Sequence, residues 1–256
     1  MNLMLGDCLE RMKEIPDASV DMILADPPYG TTACKWDVVI PFDAMWAELK
    51  RIVKANGAIV LFGSEPFSSV LRVSNLKMFK YDWIWQKSKP VGFPNAKKMP
   101  LKDIETISVF CKKTTNYNPQ CLIKCNRKIS NSTKTKKKNN ETAINGGAFK
   151  GTTFIQEYTG YPRQLLAFNV EKGLHPTQKP VALMEYLIKT YTQEGETVLD
   201  FTAGSFSTGV ACVNIGRSFI GIEKDERYFN IGVNRVKERI SCLGLEIEPM
   251  IDMVDY

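Results

Sequence analysis

The sequence predicts an α/β protein built on a doubly wound, largely parallel sheet that carries a basic, loop-rich insertion. Three observations predict it. Short apolar strands alternate with amphipathic helices in the first 111 residues and again after about residue 173. Two strands run straight into polar, turn-forming sequence, DPPYG at 26–30 and DFTAGS at 200–205. Between the two halves, residues 112–172 lose periodicity and are rich in Lys, Asn, Thr and Gly.

Taken in order, Leu3–Leu5 forms a short strand, Gly6-Asp7 a turn, and a helix follows through Lys13. Val20 to Ala25 is apolar except for Asp21 and reads as a buried strand that stops at Asp26-Pro27-Pro28. FDAMWAELKRIVK (42–54) spaces its apolar residues for a helix, which Asn56-Gly57 is expected to stop. AIVLF (58–62) is a second apolar strand, SSVLRVSNL a helix, YDWIW a strand, and ETISVFC (105–111) a strand by its β-branched content. After the insertion, Pro180 suits the first turn of a helix whose apolar face holds Val181, Met184, Leu187 and Ile188. ETVLDF is a strand, TAGSFSTG a turn, VACVNIG a helix, SFIGIE a strand, and a final helix runs from Asp225 to about Cys242.

With 256 residues, 44% hydrophobic and 24% charged, the chain is long enough to bury a core without disulfides or metal. No apolar run approaches the length of a membrane span, and the N-terminus brings acids within seven residues, so neither a transmembrane helix nor a secretory signal is expected. Seven scattered cysteines predict a reducing cytoplasm. Cys111, Cys121 and Cys125 cluster, but they lack a CxxC pair and the single histidine, His175, lies far away, so no metal is expected. The net charge of +6 conceals an asymmetry: residues 85–150 hold 15 Lys+Arg against 3 Asp+Glu, while the rest holds 19 against 25. A basic block on an acidic body is the electrostatic footprint of a polyanion partner. Its densest part, 124–140, includes Lys124, Arg127, Lys128, Lys134, Lys136, Lys137 and Lys138, which are expected to contact nucleic-acid phosphates.

The chemistry sits at strand ends, where open α/β sheets bind ligands. Pro27 and Pro28 carry no N–H and hold the chain extended; Asp26 adds a carboxylate acceptor and Tyr29 an aromatic face. A planar amine fits this set: one N–H to Asp26, the other to the Pro27 carbonyl, the ring stacked on Tyr29. Such acceptors draw the nitrogen lone pair out of conjugation and make it nucleophilic. At the second end, the small-residue turn after Asp200 permits close backbone approach, and Glu223 ends the next strand where ribose hydroxyls can be bound. The turn lacks GxGxxG and so gives a nicotinamide cofactor only weak support, while Asp200 and Glu223 at two strand ends point to an adenosine-type cofactor.

Together, DPPYG near the start, a basic centre, then HPTQKP (175–180) and the Gly-containing turn resemble the β class of S-adenosylmethionine-dependent amino DNA methyltransferases. The resemblance implies a circularly permuted Rossmann-like methyltransferase sheet, with a catalytic domain in 1–111 and 173–256 and a target-recognition region in 112–172. It implies that Asp26, Pro27, Pro28 and Tyr29 hold the target amine, Asp26 also bordering the cofactor. Asp200, Phe201, Gly204 and Ser205 would line the cofactor's methionine part, Glu223 its ribose, Asp7 and Cys8 its adenine, and Thr177, Lys179 and Pro180 the far wall. The family turn runs close to DPFxGSGTT; here Phe206 replaces the second glycine and Phe201 a common proline. Phe206 is expected to crowd or redirect the turn.

The implied reaction is methyl transfer to the N6 of an adenine flipped out of double-stranded DNA, since DPPY accompanies adenine and SPPY-like variants accompany cytosine N4. N4-cytosine transfer is the alternative. A methyltransferase of RNA or of protein glutamine, and an inactive DNA-binding protein with the same sheet, are the rival readings, Phe206 favouring the last. The implied setting is a bacterial or phage-infected cytoplasm, with a homodimer and a cognate restriction enzyme as further partners the family admits.

Overall fold

A computed structural model describes residues 1–32, 34, 37–130, 153–171 and 178–245. Met1–Asn118 and the chain from Gln164 onward form one compact unit; Pro119–Arg163 form a second.

The first unit is an eight-stranded sheet with helices on both faces. Its strands are β1 (Asn2–Leu5), β2 (Val20–Ala25), β3 (Val53–Gly63), β4 (Phe79–Val91), β5 (Lys102–Phe110), β8 (Leu165–Phe168), β9 (Thr197–Asp200) and β10 (Ser218–Glu223); the second unit holds β6 (Ile123–Ser130) and β7 (Thr153–Thr159). The helices are α1 (Cys8–Arg11), α2 (Phe42–Ile52), α3 (Phe67–Ser74), α4 (Val181–Tyr191), α5 (Ser207–Asn214) and α6 (Glu226–Cys242). The strand order is β1-β10-β9-β2-β3-β5-β4-β8. The run β1-β10-β9-β2-β3 is parallel throughout, β5 is antiparallel to both β3 and β4, and β8 joins β4 in parallel.

The apolar runs predicted as strands are buried on both faces, as parallel strands covered by helices must be. Side chains alternate: Met22 and Leu24 of β2 and Val60 and Phe62 of β3 enter the layer with α4 and α5, where Leu183, Leu187 and Ala211 meet them. Ile23, Ala25, Ile59 and Leu61 face the opposite layer with Met45, Leu49 and Ile52 of α2. Among the described residues no helix is long and apolar enough to cross a membrane.

The structure changes three local expectations. Asn56-Gly57 does not stop α2, which ends at Ile52; β3 starts at once, and the register with β2 jumps from Val20↔Val53 to Met22↔Ala58. A Cβ on Gly57 would lie 2.7 Å from the Asp21 carbonyl, so the Asn-Gly pair serves that irregularity, where two backbones nearly touch. Pro180 stands just before α4, as its extended N-cap residue (φ −64°, ψ 131°), rather than inside the first turn. Finally, the span 112–172 is not uniformly irregular. Asn118 N–H donates to the Thr190 carbonyl at 2.8 Å, and Leu165–Phe168 pairs with Ile84–Lys87. Four residues are too few to show a period, so this strand was invisible to patterning.

The second unit is built on the antiparallel pair β6–β7, with a register shift between Lys124 and Arg127. Every residue of β6 except Ile129 is exposed.

Candidate active site

Parallel strands deliver their carboxyl ends to one edge, and β1, β10, β9 and β2 are consecutive neighbours there. The residues at or just after their ends, Gly6-Asp7, Glu223, Asp200 and Asp26, therefore converge although they are far apart in sequence. They line one cavity of about 620 Å³, together with Cys8, Pro27, Pro28, Tyr29, Lys179, Phe201, Gly204 and Ser205. Of the residues predicted for this site, Pro180 does not line the cavity, and Thr177 lies outside the described residues.

Asp26 is engaged at both carboxylate oxygens. Its two carboxylate oxygens accept from the Tyr29 hydroxyl and from Lys179 Nζ. Lys179 comes from the stretch before α4, 153 residues away, and is only 6% exposed. Its ammonium also lies 3.3 Å from Glu105 of β5, which in turn pairs with Lys87 of β4. That second contact places charge against charge without hydrogen-bond alignment, since Glu105 Oε2 has no such partner. Lys87–Glu105–Lys179–Asp26 is thus a buried row of alternating charge that sums to zero. Such groups survive burial only when paired. Burial pushes the Asp26 carboxyl up, against the pull of Lys179, and the Glu105 charge adds to the rise. Burial also disfavours the Lys179 ammonium, but Asp26 and Glu105 outweigh it and hold its proton more tightly than usual. Burial would raise the Glu105 carboxyl, but Lys179 and Lys87 bring it below its ordinary value. Tyr29, raised well above its usual range by burial and by Asp26, stays a phenol and an O–H donor; its ring stacks on Phe67 at 5.0 Å.

The loop after Tyr29 is tied down by Asp37. Its carboxylate accepts from the backbone N–H groups of Gly30 (2.8 Å), Thr31 (2.9 Å) and Thr32 (2.7 Å). Burial works against this carboxylate, but the Thr32 side chain and those N–H groups hold it below its ordinary value.

At the neighbouring ends, Asp200 is buried and accepts from Thr202 N–H (3.1 Å) and Thr208 Oγ1 (2.6 Å). Burial, with smaller contributions from Asp26 and Glu223, pushes it up to about 7 against those two hydrogen bonds. Glu223 accepts from Gly204 N–H (2.7 Å) and Asp225 N–H (2.8 Å), which locks the turn onto β10; burial raises its carboxyl. Asp7 caps α1 through Leu9 N–H (3.0 Å) and meets Lys224 (3.0 Å). Burial pushes the Cys8 thiol up to about 11, with help from Asp7, so it is no thiolate nucleophile.

A sequence profile of the family described as DNA methylase matches residues 20–234. The chain belongs to that family. Among curated relatives of this DNA methylase, "DNA adenine methyltransferase YhdJ" of Escherichia coli (strain K12) is 31% identical over 246 residues, covering 90% of this chain and 81% of the relative. "Type II methyltransferase M.HinfI" of Haemophilus influenzae is 28% identical over 96% of this chain and 73% of its own. Among solved structures, the M1.HpyAVI–SAM complex superposes with a TM-score of 0.60 at 27% identity, covering 91% of this chain and 98% of the other. A cytosine-N4-specific enzyme, PvuII DNA methyltransferase, shares the fold at a TM-score of 0.64 and 15% identity, over 93% of this chain and 90% of the other.

Against the DNA methylase turn, Phe206 does not crowd the cavity. It adopts the left-handed conformation a glycine would take (φ 56°, ψ 40°), and its ring turns away into the core, fully buried. There it meets Phe219 and Phe229 edge-on and fills the space over Gly232 of α6, where a Cβ would approach it to 2.6 Å. The small residue the turn lacks is supplied, in effect, on the opposite helix. Glu105, Lys87 and Asp37 were missed by sequence reasoning: each is an ordinary charge in its own segment, and only the sheet order brings Glu105 to Lys179. Lys179 was placed as a wall residue; the structure makes it a direct partner of Asp26.

Proposed function

We propose that this DNA methylase transfers a methyl group from S-adenosylmethionine to the N6 amine of an adenine rotated out of duplex DNA. One observation carries the reading: DPPY and the Asp200–Glu223 pair, from opposite halves of the chain, line a single cavity. The residues present fit the cofactor. Buried Asp200 and half-exposed Asp7 offer carboxylates to its cationic and amine groups, Glu223 offers acceptors to hydroxyls, and the Phe206 side chain leaves the cavity clear. When bound, S-adenosylmethionine supplies an electrophilic methyl carbon on a positive sulfur.

The protein's part is then to bind, orient and neutralise. An adenine amine presented to Asp26 has room in its coordination. Each carboxylate oxygen has two lone-pair sites, and one partner on each is already in place. The Pro27 carbonyl takes the second N–H in this reading. Lys179 and Tyr29 hold Asp26 in a fixed rotamer, so no reorganisation is needed when positive charge develops on the nitrogen. Holding the amine in line is worth about 7–11 kcal/mol in such reactions. Asp26 receives the departing proton at a carboxylate oxygen and passes it to water.

Residues 112–172, which include the Pro119–Arg163 unit and the basic stretch within it, serve target recognition in this reading. Lys124, Arg127 and Lys128 sit on exposed β6, while Lys134, Lys136, Lys137 and Lys138 lie outside the described residues. A permuted methyltransferase sheet is supported by the position of β9 and β10, the last two strands, between β1 and β2. The same family reading includes a restriction-modification setting in a bacterial cytoplasm, with a cognate restriction enzyme, and pairing with a second copy of the chain.

The test is direct. Unmethylated genomic DNA is incubated with protein and labelled S-adenosylmethionine, and modified bases are mapped by sequencing. N6-methyladenine at one recurrent sequence is the expected product. N4-methylcytosine would reassign the base, and label in RNA or protein but not in DNA would overturn the reading.

A further inference from the structure

The hairpin joining β4 to β5 projects as an uncovered tip. All residues from Ser88 to Lys102 are exposed. Within it four large apolar side chains face solvent: Val91 (51% exposed), Phe93 (80%), Met99 (53%) and Leu101 (37%). Single exposed apolar residues are ordinary, but a cluster within eleven positions marks a contact surface. The same stretch carries Lys89, Lys97, Lys98 and Lys102 and no acid. It is also ordered by its own hydrogen bonds. Gly92 takes a left-handed turn (φ 96°), and the chain closes from Asn95 N to Gly92 O (2.9 Å), Ala96 N to Phe93 O (3.0 Å) and Lys98 N to Asn95 O (2.8 Å). Phe93 is thus held out on a compact turn.

The base of this hairpin reaches the active site. Glu105 and Lys87 belong to the charge row that ends on Asp26, and Glu105 lies three residues along β5 from Lys102, about 10 Å at strand spacing. Gly63, the last residue of β3, pairs with Thr106 of antiparallel β5, so the hairpin leaves the sheet at the carboxyl edge that bears the cavity.

We infer that this tip docks on duplex DNA next to the extruded base, with Phe93 as an apolar wedge in the stack and Lys89, Lys97, Lys98 and Lys102 on the flanking phosphates. The inference rests on the proposed DNA reaction and adds a second DNA-contacting element, outside 119–163. Apolar wedges stabilise an unstacked step, and lysines around them fit a polyanion and not an apolar protein partner.

The experiment uses the full chain, Phe93→Ala and a Lys89/Lys97/Lys98/Lys102→Ala variant, each checked by circular dichroism and by calorimetric titration with S-adenosylmethionine. The first readout is fluorescence anisotropy on a labelled 30-base-pair duplex across salt. The four-lysine variant is expected to lose about 3.6 from the log–log salt slope, at about 0.9 per phosphate contact. The second is methyl incorporation into the mapped target, once fully paired and once with the target base mispaired. Phe93→Ala is expected to slow the paired substrate about tenfold and the mispaired one far less, because a mispaired base costs less to extrude. An unchanged salt slope together with unchanged rates overturns the inference. Equal slowing on both substrates reduces Phe93 to a structural residue and overturns the wedge. A dimer that dissociates in Phe93→Ala, with DNA binding intact, would assign the tip to a second copy instead. Should the wild type transfer no methyl at all, the proposed function falls, and the salt slope still judges the tip.

Discussion

The cavity at the carboxyl edge of the sheet and the β6–β7 unit use charge in opposite ways. Around Asp26 the charges are largely buried and paired: Lys179 is 6% exposed and touches two carboxylates, one of them Asp26. On β6 the charges of Lys124, Arg127 and Lys128 are exposed, on a two-stranded ladder. Buried charges hold geometry because moving one leaves its partner uncompensated. Exposed ones hold no geometry but attract a polyanion over a Debye length. The first arrangement suits chemistry at one nitrogen; the second suits a long charged surface.

Substitutions can break or sharpen this contrast. The largest effect is expected at Asp26. Asp26→Ala removes the acceptor and strands Lys179, and single-turnover methyl transfer should fall about a thousandfold, with S-adenosylmethionine affinity nearly unchanged. Retained turnover would remove Asp26 from the mechanism. Next, Phe206→Gly sets two effects against each other. Relieving left-handed strain returns roughly 1–2 kcal/mol, while emptying a fully buried Phe site costs about 3–5 kcal/mol. The packing loss wins, so urea denaturation should show net destabilisation of about 2–3 kcal/mol. A stabilised variant would mean that the aromatic packing there is weak.

Asp200 makes the buried side pH-dependent. Its folded-state value of about 7 exceeds its unfolded one, so the native state holds the extra proton. That contribution is complete below about pH 4 and is lost as pH rises through about 7, at up to about 1.4 kcal/mol per pH unit. Asp200→Asn should flatten this part of the stability–pH curve; an unaltered slope would show that the carboxyl titrates normally. On the exposed side, Lys124/Arg127/Lys128→Ala should weaken duplex binding for every sequence and reduce the salt slope by about 2.7, with cavity binding untouched. The smallest effect is expected for Glu105→Gln. The Glu105 charge raises the Asp26 carboxyl, so its removal should move the acid limb of the rate profile to lower pH. A uniform loss of rate with no such shift would mark Glu105 as merely structural.

Legibility in the sequence followed the range of the interaction. The strand leading into DPPY was readable because burial on both faces leaves the apolar run Met22–Ala25, and Pro27-Pro28 stops it. Asp200 and Glu223 were readable because each ends such a run. β8 was not, being four residues long. Phe206 was misjudged because a glycine-like turn position says nothing about Gly232 of α6, which makes room for the ring.

What the sequence by itself determined is therefore local: which segments are strands and helices, where the acidic side chains stand at strand ends, and that the positive charge is concentrated in one stretch. Only the tertiary structure decided that Lys179 neutralises Asp26 across 153 residues, that Glu105 and Lys87 extend this row, and that a lysine-rich tip stands beside it. The physical reason is that periodicity and turn chemistry act between near neighbours. Burying four charges together requires a particular order of strands, and that order is set by how the whole core packs.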